Sequence, residues 1–115
     1  MKLADFIDAL EKAASKYLLK PRILVKTDNA VKARIEISGT VYIQFYFNQA
    51  SNTSNFVLVG WDKRLYGRDC VGGNWHRHTF GDSKVHDTTG DGANDVTPEE
   101  FIDEVFEILL KEKLI

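Results

Sequence analysis

The chain is 115 residues long, with 43% apolar and 28% charged residues and a net charge of −2. That length suits one domain with its own core, and the balance excludes a disordered or membrane-spanning class. The one cysteine, Cys70, allows no internal disulfide, and the N-terminus lacks the apolar stretch of a signal peptide, so a cytoplasmic, single-domain protein (1–115) is expected.

The small net charge conceals a split. Residues 1–86 carry 13 Lys/Arg against 8 Asp/Glu, whereas residues 87–115 carry 2 against 9. A basic body suits an anionic partner such as RNA. The acidic run suits a solvated helix face.

In chain order, Leu3, Phe6, Ile7, Leu10, Ala13, Ala14, Tyr17 and Leu18 recur at helical spacing, predicting an amphipathic helix over 3–19 that Pro21 ends. The period then becomes two. Strands are predicted at Ile23–Val25, 31–37 and 41–47, the last two forming a hairpin across Ser38-Gly39-Thr40. Gln49–Asn55 reads as a polar loop. Phe56–Val59 reads as a central strand covered on both faces, and Arg64–Cys70 as a fifth strand after a turn at Asp62-Lys63. Gly72-Gly73 is expected to break the ladder. Thr97-Pro98-Glu99-Glu100 carries an N-cap, a proline at the first helical position and a glutamate at the third, so a last helix starts there. The expected architecture is α+β: an N-terminal helix, an antiparallel meander of about five strands and a C-terminal helix packed on the sheet.

Chemistry concentrates in Gly73-Asn74-Trp75-His76-Arg77-His78-Thr79-Phe80-Gly81-Asp82, with His86 shortly after. If this stretch is extended, His76 and His78 share one side, while Trp75 and Arg77 take the other. Three functions are left open. The first is metal-free cleavage of RNA through its 2′-hydroxyl, with His76 and His78 as base and acid and His86 as orienter or third participant. Arg34, Arg64, Arg68 or Arg77 would carry the phosphate charge, and Tyr42, Tyr46, Tyr66 and Trp75 would stack on unpaired bases. The second is a binding module without turnover, using the aromatic, basic sheet face for nucleic acid or the last helix for a protein. The third is a metal site on His76, His78 and His86 with Asp82. No cofactor or metal is required by the first. Asp87-Thr88-Thr89-Gly90-Asp91-Gly92 opens like a calcium loop, but Pro98 occupies the position of its bidentate glutamate.

Several segments also resemble one family. They are Tyr46-Phe47-Asn48, Phe56–Val59, Arg64–Asp69, the Gly73–Asp82 stretch, His86 and the capped helix from Thr97. Together, over about residues 41–110, they are similar to the TumE-like family of prokaryotic toxins, encoded in two-gene modules usually beside a helix-turn-helix antitoxin. Thr79 stands where many members have proline, and the loop over 87–95 is longer than usual. The resemblance implies a toxin directed at nucleic acid and held inactive by a protein partner.

Overall fold

The computed structural model describes residues 1–80, 86–87 and 92–115. Two helices and seven strands follow one another as α1 (Leu3–Ser15), β1 (Arg22–Lys26), β2 (Ala30–Glu36), β3 (Val41–Asn48), β4 (Thr53–Gly60), β5 (Lys63–Val71), β6 (Asn74–His78), β7 (His86–Asp87) and α2 (Pro98–Lys111). The strands lie in chain order in one antiparallel meander, as expected, but with seven members instead of five. The two extra strands come from the histidine stretch itself.

The cause is Gly72-Gly73. Both glycines take positive φ, 59° and 90°, and Val71 pairs with Asn74 across them. Two consecutive positive φ angles in a two-residue loop make the mirror-image turn whose twist matches a hairpin. The glycines therefore fold the ladder back instead of ending it, and β6 returns along β5. Trp61 and Asp62 make the same kind of turn between β4 and β5, with φ of 50° and 62°, although neither is a glycine.

α1 ends sooner than the expected residue 19. Its chain leaves at Leu18, which has a φ of 59°, and the Leu19 amide bonds back to the Ala14 carbonyl, closing the helix end several residues before Pro21. α2 starts where predicted: the Thr97 side chain accepts from the Glu100 amide, and the Glu100 carboxylate accepts from the Thr97 amide.

Both helices cover the same face of the sheet. Leu3, Phe6, Leu10, Ala13 and Ala14 of α1 and Phe101, Ile102, Val105 and Leu109 of α2 meet the alternating residues of β2 to β5. Phe45 and Phe56 sit at the centre, each in ring contact with Phe101. Burial of these apolar side chains is the main stabilising term. The acidic face is solvated as expected, with Glu99, Glu100 and Glu107 exposed, and some of its acids also join elements. On α2, Glu99 and Asp103 bind Lys16 of α1, and Asp103 accepts from the Tyr17 hydroxyl. Tyr17 also stacks on Phe106, with centroids 4.2 Å apart.

Candidate functional site

Among the described residues, the second face of the sheet has no helix on it, and its residues are set by register. One row crosses six strands through the pairs Val25–Lys32, Lys32–Tyr46, Tyr46–Asn55, Asn55–Asp69 and Asp69–His76. The adjacent row runs through Arg34–Gln44, Gln44–Val57, Val57–Gly67 and Gly67–His78. Directly paired residues in an antiparallel ladder share a face. The rows therefore place both histidines at one end of a surface bearing Lys32, Arg34, Gln44 and Tyr46.

At that end, one carboxylate holds both imidazoles. Asp69 Oδ2 lies 2.8 Å from His78 Nε2 and 3.4 Å from His76 Nε2, and the two rings are 5.2 Å apart. The other Asp69 oxygen accepts from the Asn55 side-chain amide. His78 is buried and His76 partly so, with side-chain exposures of 10% and 19%, which makes His76 the more accessible ring. Ligating atoms of Asp69, His76 and His78 all lie within 4.8 Å of one another, so the group has the ligand types of a transition-metal site. The proposed metal set thus gains Asp69. Asp82 lies outside the described residues. For His86 the backbone alone is described, and it pairs with His78 in register.

Arg64 reaches this face through an irregularity. Register slips between Leu58 and Val59, so that Leu58 pairs with Tyr66 but Val59 with Arg64. An extra residue, Leu65, turns Arg64 away from the helix side. One guanidinium nitrogen then lies 3.8 Å from the point where a Gly67 Cβ would stand, and His78 Cβ is 3.9 Å from that point. The same Cβ would be 3.1 Å from the Phe56 carbonyl oxygen, so glycine keeps a notch open between Arg64 and His78.

Farther along, the Arg34 guanidinium stacks on Tyr42, 4.0 Å from the ring centroid, and donates to Gln44 Oε1. The Tyr46 hydroxyl accepts from Asn48. Arg34, Arg64, Tyr42 and Tyr46 therefore share the histidine face.

The other expected binders do not. Tyr66, Arg68, Trp75 and Arg77 lie on the helix side, because β5 and β6 alternate. Arg68, only 4% exposed, forms a two-pronged pair with Glu104 of α2, at 3.1 and 2.7 Å. Burial works to lower the Arg68 pKa, but the interactions with Glu104 and Tyr66 together raise it. Tyr66 stacks against Phe101 and donates to Glu104 at 2.7 Å; burial, reinforced by that carboxylate, pushes its pKa up to about 12. Trp75 packs against Phe56 at the core edge, and Arg77 lines a small polar cleft with Arg68, Glu100 and Glu104. Cys70 is buried on this side too, and burial raises its thiol pKa, which makes it a poor nucleophile.

Asp69, Asn55 and Gly67 are the residues the motif reading missed. Asp69 had a legible signal. A two-residue turn at Gly72-Gly73 pairs 71 with 74, 70 with 75 and 69 with 76, which sets Asp69 opposite His76 by counting alone.

No helix is long and apolar enough to cross a membrane, among the described residues. Comparison with protein-family models, with curated proteins and with solved structures finds no match to this chain.

Proposed function

We propose that the helix-free face binds single-stranded RNA and cleaves it at the Asp69–His76–His78 group, and that the protein acts in the cytoplasm as the toxin of a toxin–antitoxin pair. The observation that carries the catalytic part is the shared carboxylate: Asp69 orients two imidazoles side by side on the face that also presents Arg64, Arg34 and two tyrosines. The TumE-like resemblance supports the biological part, with a helix-turn-helix antitoxin as the expected partner.

In this reading one imidazole takes the proton of a 2′-hydroxyl, and the 2′-oxygen attacks the adjacent phosphorus. The second imidazole protonates the departing 5′-oxygen, leaving a 2′,3′-cyclic phosphate. Arg64, beside the Gly67 notch, stabilises the charge on the pentacoordinate phosphorus. No metal enters these steps. Arg68 and Arg77, on the helix side, have no part in them.

The test is induced expression of the parent and of the His76→Ala/His78→Ala variant in a bacterial host, with growth and total RNA followed together. Growth arrest and RNA decay are expected in the parent alone. Equal arrest by both would overturn the reading. In purified form, cleavage should leave cyclic phosphate ends and persist in a chelator.

One observation favours a second reading. The clustering of Asp69, His76 and His78 suits a bound divalent transition metal. Elemental analysis of untagged protein decides between them: stoichiometric metal, lost in Asp69→Asn together with activity, would replace metal-free catalysis. A third reading, binding without turnover, predicts salt-sensitive RNA binding that Lys32→Ala and Arg34→Ala weaken more than the histidine changes do.

A further inference from the structure

The row ending at His76 passes through a groove of about 370 Å³, lined by Val25, Lys32, Gln44, Tyr46 and Asn55 together with Ala30 and Val31 at the start of β2. We infer that this groove is a subsite for one unpaired nucleobase of a strand whose reacting phosphate lies at the histidines. The substrate named here rests on the RNA reading above.

Each wall has a chemical role. Tyr46 offers a ring face, and its hydroxyl is anchored by Asn48, which limits the ring's freedom. A base stacks on such a platform whatever its identity. Val25, 53% exposed on the otherwise bare strand β1, gives an apolar wall on the far side. Lys32, exposed at the rim and in register between Val25 and Tyr46, suits a phosphate.

Two side-chain amides give the groove a means of discrimination. Gln44 Oε1 accepts from Arg34, which leaves the Gln44 NH₂ as a donor. The Asn55 NH₂ donates to Asp69, which leaves its carbonyl oxygen as an acceptor. A donor and an acceptor held in fixed orientation match a base edge that carries the complementary pair. Asn55 also links the groove to catalysis, since it and both histidines hold the same carboxylate. Tyr46 and His76 stand three strands apart, a span of roughly 14 Å, so the bound base lies along the strand from the reacting phosphate and not at it.

The test uses 2′-O-methyl pentanucleotides of A, C or U, which lack the attacking hydroxyl and stay intact, with fluorescence anisotropy as the readout. The parent is expected to bind one base at least tenfold more tightly than the poorest. Gln44→Ala should compress that spread to within twofold, and Tyr46→Ala should weaken all three at least tenfold, with its fold checked by circular dichroism. Equal binding of all three by the parent, or a Tyr46→Ala variant that binds like the parent, overturns the groove assignment. The cleavage reading fails separately: base-selective binding with no cleavage of ordinary RNA sinks that reading and keeps the groove, whereas cleavage without base selectivity does the reverse.

Discussion

Asp69 is the residue on which the candidate site turns. Its carboxylate meets two imidazoles and an amide. Asp69→Asn keeps the shape but removes the charge that orients the rings. Cleavage should drop by at least a hundredfold while the thermal midpoint moves little, as read by RNA digestion beside thermal melting. Tyr66 makes a different kind of prediction. Its pKa in the folded chain is about 12 against an ordinary 10. Between those values the unfolded chain has lost the phenolic proton and the folded chain keeps it, so stability falls as pH rises. A loss of about 2–3 kcal/mol is expected between pH 10 and 12. Denaturant titrations across that range should show it in the parent, and Tyr66→Phe should flatten the slope.

At the scale of elements, the turns decide which residues meet. Gly72-Gly73 takes its mirror-image turn without strain, whereas Trp61-Asp62 adopts the same geometry with two side chains in the left-handed region. Asp62→Gly removes that cost at one position and should stabilise the protein by about 1 kcal/mol, measured by urea unfolding. The cap of α2 predicts the opposite sign. Thr97→Ala breaks the reciprocal bonds with Glu100 and should cost about 1 kcal/mol. Turn chemistry also explains why β6 was not expected. Paired glycines weaken a strand interior, but at a hairpin tip they are the favoured residues, and local composition does not separate the two cases. Leu65 raises a similar difficulty. One extra residue changes the face of Arg64, and nothing in the alternation of Arg64–Cys70 announces it.

Across the whole molecule, helix-side polar residues hold the layers together. Glu104 receives Arg68 and Tyr66 from β5, and so fastens α2 to the sheet. Glu104→Gln removes the carboxylate charge that faces the buried guanidinium and should cost about 3 kcal/mol, while Arg68→Met with Glu104→Leu should recover most of it. Thermal melting of the single and double variants provides the check. Periodicity and the N-cap box were enough to settle the α+β class, the meander and the start of α2, because those signals act within a few residues. The same alternation separated His76 and His78 from Trp75 and Arg77. Which cations and rings join the histidines depended on pairings between distant strands. Arg68 and Tyr66 look from sequence like Arg34 and Tyr42, yet a helix covers one pair and solvent reaches the other. Asn55 entered the site through the register of β4 on β5, whereas Asp69 follows from the hairpin turn at Gly72-Gly73. Period and caps are local properties of the chain, whereas a site on a sheet is a property of rows that cross it, and tertiary pairing alone assembles those.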